Sequence, residues 1–162
     1  MFDLVNGIPV HPLVVHAVVV LLPAAVLGTI AIAARPSWRR RYGVLVLGVA
    51  AVATALIPVA TSSGEALQRR VGNPGEHAEL GDQLIWFALP LLVLVAALVV
   101  LDRRHAPRPV EGSRDGAVTA VRTVAVLAVV AALATGVQVY RVGDSGARAA
   151  WGSKVAPSSA SR

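Results

Sequence analysis

Three histidines in this 162-residue sequence have positions suited to binding a metal ion or a haem. His11 and His16 stand close together in one apolar segment, and His77 precedes another. A histidine from helix 1 opposite a histidine from helix 3, near the outer surface of a bundle, is the minimal geometry for a six-coordinate haem b. The same pair, together with Glu65 or Asp82, could instead bind a transition metal such as copper or zinc. The predicted cofactor ligands are His16 and His77, supported by His11, Glu65 and Asp82.

The spacing of the first two histidines predicts which of them faces the other helices. Pro12 suits the first turn of a helix, so we expect His11 to cap that helix and His16 to lie deeper in the membrane. Five residues rotate a helix by about 140° beyond one full turn, so the two rings cannot bind the same ion. An imidazole inside a membrane is costly unless it faces the bundle interior. The sequence therefore predicts that His16 faces inward.

The composition places the chain in a membrane. Hydrophobic residues make up 56% of it and charged residues only 15%, whereas ordinary globular domains are about 25% charged. A transmembrane helix needs roughly 20 apolar residues. Four segments meet this requirement, at residues 12–34, 43–61, 84–101 and 117–140, and the third helix is predicted to begin earlier, at residue 75. We therefore predict an all-α, polytopic integral membrane protein, a single four-helix bundle over residues 1–151 with a disordered tail at 152–162.

The arginines predict the orientation of this bundle. They cluster between helices 1 and 2 and around the connection between helices 3 and 4, whereas the middle connection has only Arg69 and Arg70 beside several acidic residues. Short cytoplasmic loops carry an excess of Lys and Arg, so both termini are expected outside. The first segment is too long for a signal peptide and has no basic residue before it, so we expect it to be retained.

Several classes of function are disfavoured by the residue types. The net charge of +6 comes from arginines that flank apolar segments, so nucleic acid is not an expected partner. Cysteine is absent, which excludes disulfides and thiolate metal sites. No phosphate-binding loop, serine nucleophile elbow or H-E-x-x-H motif occurs, so the chain is not expected to be an enzyme on its own. His105 lies in an arginine-rich loop and is expected to be solvated.

The connection between helices 2 and 3 carries further local signals. Ser62 and Glu65 have the spacing of a capping box, which predicts a short surface helix over residues 65–71 that stops at Gly72. His77 then lies at the start of helix 3. Gly81, one turn later, leaves room beside the ring for something flat or bulky.

The outer end of helix 4 adds Tyr140, Arg141 and Asp144 to the supporting residues. Tyrosine and arginine often anchor a helix at the lipid headgroups, and an arginine can also contact an anion. Both roles remain open for Arg141.

Three classes of function fit these residues. The first is an outer-facing redox or ligand-binding module that holds haem b or a metal. The second is a structural or assembly subunit of a membrane complex, in which the histidines, Arg141 and the acidic groups satisfy one another. The third, a small carrier or channel, is weakened because the middle of the membrane holds no charged residue. The sequence leaves the oligomeric state open.

The chain resembles a bacterial four-helix membrane family known as domain of unknown function 2231. The resemblance rests on the opening from Asn6 to His16, with its His-Pro-x-x-x-His pattern, and on three shorter stretches at residues 63–65, 77–81 and 140–143. It implies a multi-pass protein of the cytoplasmic membrane, in some members attached to or near redox modules, with no assigned activity. Family members often have another histidine where this chain has Val142 and Gly143, which counts against a ligand from helix 4.

Overall fold

The computed structural model describes residues 4–5, 8–72, 75–104 and 114–152. Its helices are α1 (Val10–Ala34), α2 (Pro36–Val71), α3 (Glu76–Arg104) and α4 (Arg114–Trp151). Two strands of two residues each, β1 (Leu4–Val5) and β2 (Ile8–Pro9), form an antiparallel pair before α1. All four helices are long and apolar enough to cross a membrane. The prediction of an all-helical membrane protein with four spans is therefore confirmed.

The first two helices differ from the sequence prediction at their ends near the histidines. α1 begins at Val10, so His11 lies within the helix and does not cap it. The predicted surface helix is part of one continuous α2, and the capping-box assignment is wrong. Ser62 Oγ donates a hydrogen bond to the Pro58 carbonyl in the preceding turn, at 2.7 Å, and so continues the helix. The predicted stop is confirmed at Gly72, whose φ is 96°.

α4 extends past the predicted end at Tyr140 as far as Trp151. Asp144 and Arg148 form an ion pair one turn apart in this extension. Such i,i+4 pairs stabilise a helix, which is one reason why polar residues continue it here. The predicted tail lies outside the described residues apart from Gly152, and so does His105.

A single residue joins α1 to α2. Arg35 is extended, with φ −126° and ψ 102°, and Pro36 begins α2. The Arg35 guanidinium stacks 4.8 Å from the centre of the Trp38 ring. Because the residue before a proline is disfavoured in the helical conformation, Arg35 is where the chain reverses direction.

The helices form a ring in the order α1, α2, α3, α4, in which α1 and α3 each pack against both α2 and α4. α1 and α3 begin at the end of the bundle that we call the histidine end, and α2 and α4 finish there. The opposite end, where Arg35, Arg39 and Arg104 lie, is called the arginine end.

The two helical hairpins, α1 with α2 and α3 with α4, are built alike. The buried residues of α1 at positions 18, 22, 25, 29 and 32 each have a buried counterpart 66 positions later in α3. Buried positions 46, 50 and 53 of α2 likewise have buried counterparts 82 positions later in α4. Because diagonal helices carry the same pattern, the bundle has an approximate two-fold axis along its length.

The arginine end is closely packed. Arg39 belongs to the cluster that the sequence assigned to a basic loop, yet it is only 6% exposed. Its Nε donates to the Ile32 carbonyl at 3.2 Å, and its Nη1 lies 3.6 Å from Asp102 Oδ1. A Cβ placed on Gly28 would lie 2.9 Å from a methyl carbon of Val46, so α1 and α2 approach closely at this level.

Candidate functional site at the histidine end

A cavity of about 230 Å³ lies at the histidine end. All four helices contribute to its walls, which are mainly apolar. His11 and His77 both line it, one from α1 and the other from α3. Gly81 also lines it, and apart from the backbone of its own helix turn and its two chain neighbours, no described atom lies within 4 Å of where a Cβ would stand there. The prediction that this glycine leaves space beside His77 is confirmed.

The His11 ring, which is half-buried, lies against the last turns of α2. Its Nδ1 lies 2.9 Å from the Ala60 carbonyl oxygen and 3.4 Å from Ser63 Oγ. Ser63 Oγ donates to the same carbonyl at 2.9 Å. A Cβ on Gly64 would lie 3.0 Å from His11 Cε1, so only glycine lets the ring approach this closely.

His77 repeats this arrangement against α4. Its Nδ1 lies 3.1 Å from the Val142 carbonyl oxygen and 3.3 Å from Ser145 Oγ. Ser145 Oγ donates to that carbonyl at 2.9 Å. A Cβ on Gly146 would lie 3.0 Å from His77 Cε1. Each histidine is therefore held by a carbonyl, a serine and a glycine of the adjacent helix in the same hairpin.

These contacts fix the tautomer of both rings. A carbonyl oxygen only accepts hydrogen bonds, so Nδ1 of each ring must carry the proton. In the neutral imidazole, Nε2 is then an acceptor. Among the described residues neither Nε2 has a hydrogen-bond partner, and neither is sealed from the surroundings. The cavity is thus lined by two histidines whose acceptor nitrogens are unused.

The cavity lies on the approximate two-fold axis. Most of its lining residues in α1 and α3, and the deeper ones in α2 and α4, are related by the offsets that relate the two hairpins. The pairs are His11 and His77, Val15 and Gly81, Val18 and Leu84, Ile57 and Val139, and Ala60 and Val142. The two histidines therefore belong to equivalent positions on opposite sides of one cavity.

The cavity departs from this symmetry at the seam between α2 and α3. Polar residues of the two helices line this side, including Thr61, Glu65, Gln68 and Asp82. A second cavity of about 100 Å³, lined by Ile57, Pro58, Thr61, Asp82 and Ile85, lies along the same seam. The cavity thus has a polar flank between these two helices.

The predicted orientation of His16 is wrong. His16 is exposed, does not line the cavity, and contacts the Pro12 carbonyl of its own helix. His11 faces the bundle instead, because it continues the buried stripe of Val18, Leu22 and Ala25 at heptad spacing. The structure therefore brings His77 together with His11 around the cavity, and not with His16.

The other predicted site residues fall into two groups. Glu65 and Asp82 line the cavity with exposed side chains. Tyr140 is 73% exposed, Arg141 is also exposed, and Asp144 pairs with Arg148, so these three do not line it. No group of three or more histidine and acidic side chains close enough to hold a metal occurs within the described ranges.

Two features of the site could have been found in the sequence. Thr29 lies mid-membrane and is expected to face the bundle, and His11 is five full turns from it, on the same side of the helix. His16 is displaced from that side by about 140°. The pair Ser145 and Gly146, which holds His77, repeats the Ser-Gly pair at residues 63–64.

The fold and this site define a multi-pass membrane protein built as a four-helix bundle. Residues 7–159 match the family described as predicted membrane protein (DUF2231), and the chain belongs to that family. No curated protein and no solved structure matches the chain.

Proposed function

We propose that the chain is an outer-facing ligand-binding module of the membrane, serving redox proteins or another membrane subunit, in which His11 and His77 contact the ligand. The observation that carries this proposal is the pair of accepting Nε2 atoms, which have no partner among the described residues, on two rings that line one apolar cavity. Binding sites of this kind combine apolar walls with a few well-positioned polar groups.

The second support is the way in which each ring is held. Histidines that bind metals usually donate their other ring N–H to a carbonyl or carboxylate, which fixes the tautomer and the orientation of the ring. His11 and His77 both have such a bond, to the carbonyls of Ala60 and Val142. The same arrangement prepares a histidine to accept a hydrogen bond from an organic ligand.

Haem b and a transition metal remain candidate ligands, with His11 now replacing His16 in the pair. His11 and His77 are the residues that would hold the haem iron, which would supply one-electron redox chemistry. The cavity of about 230 Å³ is smaller than the roughly 300–1,000 Å³ of typical sites for larger organic ligands, so haem would require the helix ends to separate. A metal ion would need further ligands, and because Glu65 and Asp82 line the cavity without forming a metal-binding group with the histidines, they would have to move toward the rings to supply them.

A cavity-filling variant tests the proposal without altering either histidine. Gly81→Leu adds a side chain at a position that lines the cavity, and Gly143→Leu is the matched control at a position that does not. We expect the wild type and the control to retain a ligand that is lost from Gly81→Leu. The measurements are the visible spectrum, elemental analysis and mass spectrometry of ligand extracted from protein purified in native lipid. Wild-type protein that carries no ligand in any of the three assays would refute the proposal.

A purely structural role is the second candidate, because each histidine joins two helices. His11 connects α1 to α2 and His77 connects α3 to α4. This role predicts that His11→Phe and His77→Phe lower the melting temperature, whereas Gly81→Leu does not lower it. The exposed His16 provides the matched control as His16→Phe.

A further inference from the structure

We infer that the ligand of the histidine-end cavity is a p-hydroquinone, the reduced form of a membrane quinone, with one hydroxyl group donating to His11 and the opposite one to His77. This inference rests on the proposed function and specifies the chemical class of the ligand. The juxtaposition that carries it is two histidine rings in equivalent positions, each with an acceptor nitrogen that has no partner among the described residues, which line one mainly apolar cavity.

The first step concerns which ring nitrogens of the two histidines donate and which accept hydrogen bonds. Their Nδ1 protons are committed to the carbonyls of Ala60 and Val142, so each neutral ring offers only an acceptor at Nε2. A matching ligand must therefore donate twice. A hydroquinone has two hydroxyl donors, whereas the corresponding quinone has two carbonyl acceptors that find no donor on either ring.

The second step is the symmetry of the site. His11 and His77 occupy equivalent positions of the two hairpins and are held by equivalent groups. Their Nδ1 atoms lie 2.9 and 3.1 Å from the carbonyl oxygens that accept their hydrogen bonds. The inner walls repeat across the axis, with Val18 facing the cavity from α1 and Leu84 from α3. A ligand with identical donors at opposite ends of a ring satisfies both sides of such a site at once.

The third step is size. The cavity of about 230 Å³ exceeds the roughly 150 Å³ that accommodates benzene in an apolar protein interior. It therefore has room for one substituted six-membered ring. The mainly apolar walls suit the face of such a ring, and the two histidines that line the cavity supply acceptors for its hydroxyl groups.

The fourth step is the asymmetry between α2 and α3. The lining extends along this seam, and the second cavity of about 100 Å³ continues beside Ile57, Pro58 and Ile85. An isoprenoid tail attached to the ring would follow the seam toward the lipid. Among the described residues, the opposite seam, between α1 and α4, contributes no comparable set of polar lining residues.

The test compares ligands that differ in one hydroxyl group. Trimethylhydroquinone, its 4-methyl ether and trimethylbenzoquinone are titrated anaerobically into the full chain in lipid nanodiscs, and empty nanodiscs are subtracted. We expect one site per chain and about threefold to tenfold tighter binding of the hydroquinone than of the ether, the effect of one net hydrogen bond. The quinone lacks both bonds and is expected to bind about 10-fold to 100-fold more weakly. Equal affinities for all three probes would overturn the inference.

Variants then assign the two bonds. In His11→Phe or His77→Phe, the site keeps one histidine acceptor. The hydroquinone and the ether can each donate one hydrogen bond to it, so the preference between them should disappear. His16→Phe removes an exposed histidine of α1 and should keep the preference. If a phenylalanine variant does not fold, His11→Gln and His77→Gln retain an acceptor oxygen and should retain part of the preference. A preference that survives in folded His11→Phe and His77→Phe would overturn the assignment.

The outcome is distinguishable from failure of the proposed function. Suppose that the purified protein carries haem or a metal that depends on His11 and His77, and binds none of the three probes. This result overturns the hydroquinone inference but leaves the proposed ligand-binding module intact. A protein that binds neither the probes nor any native ligand overturns both.

Discussion

At the arginine end of the bundle, Arg39 is 6% exposed and paired with Asp102, and α1 and α2 approach until Gly28 meets the methyl groups of Val46. At the histidine end, the rings of His11 and His77 are half-buried and border a cavity. Both ends place a polar group between helices, but the arginine end buries it far more: the side chains of Arg39 and Asp102 are only 5% and 15% exposed. A charged pair enclosed by close packing stabilises one arrangement of helices, whereas a ring beside empty space is available to a ligand.

The difference indicates that the arginine end stabilises the fold and that the histidine end is available for ligand binding. Close packing allows little change, because interiors at this density have no room for additional atoms. The cavity of about 230 Å³ means that its walls lack packing contacts at the histidine end. We expect the tightly packed arginine end to supply the stability that these missing contacts would have given. The following predictions examine this contrast, beginning with the largest effect.

The first prediction concerns the side of the membrane that each end faces. Single cysteines at Ser37, Gly112 and Ser158 are to be labelled from outside intact cells with a reagent that does not cross membranes. The wild type has no cysteine, so the background is absent. The arginine distribution predicts full labelling at Ser158 and none at Ser37 or Gly112. The reverse pattern would place the cavity on the cytoplasmic side.

The second prediction removes the buried cation of the arginine end. Arg39→Met leaves Asp102 without its partner, and breaking a buried pair costs about 3–5 kcal/mol in free energy of unfolding. Equilibrium unfolding in detergent measures the loss, with Arg40→Met as the exposed control. The double variant with Asp102→Leu should recover most of the stability, because no unpaired charge remains. Equal stability of the two single variants would mean that the pair contributes little.

The third prediction tests the close approach at the same end. In Gly28→Ala the new methyl group lies 2.9 and 3.2 Å from the two methyl carbons of Val46, and overpacking of this kind costs about 1–3 kcal/mol. Gly48→Ala meets no atom within 4 Å and should be neutral or up to about 1 kcal/mol stabilising. Val46→Ala combined with Gly28→Ala removes the clash, so the double variant should regain part of the loss.

The fourth prediction concerns the two glycines beneath the histidine rings. Gly64→Ala and Gly146→Ala each place a Cβ 3.0 Å from a ring carbon, but the ring can move toward the cavity. We therefore expect less than about 1 kcal/mol of destabilisation, smaller than at Gly28. Nitrogen NMR of labelled histidine should show the Nδ1 hydrogen bond weakened to the same extent in both variants. A change at one site only would show that the two hairpins are not functionally equivalent.

Much of the fold was predictable because the membrane imposes it. Each span must be helical to satisfy its backbone hydrogen bonds, so apolar length alone located all four helices. The helix ends were less predictable: Ser62 and Glu65 fit a capping box, but serines also bond to the preceding turn within a helix, and local spacing does not distinguish the two.

The site was only partly predictable for a different reason. His11, His77, Glu65, Asp82 and Gly81 were recognised from their residue types and line the cavity. The other predicted site residues do not line it: His16, Tyr140, Arg141 and Asp144. The orientation of α1 required comparing the whole stripe from His11 to Ile32, whereas depth in the membrane alone favoured His16. The burial of Arg39 depends on its approach to Asp102, far away in the sequence, which no local pattern indicates.

The one-residue joint between α1 and α2 also guards against domain swapping. If Arg35 became helical, α1 and α2 would merge into a single rod too long for one crossing, and each chain would have to exchange a helix with a second copy. Pro36 opposes a continuous helix in two ways. It lacks the N–H that such a helix needs, and it disfavours a helical conformation at Arg35. The variant Pro36→Ala removes this opposition to a continuous helix. We expect it to form dimers in which two chains exchange a helix, because a single residue then forms the whole hinge.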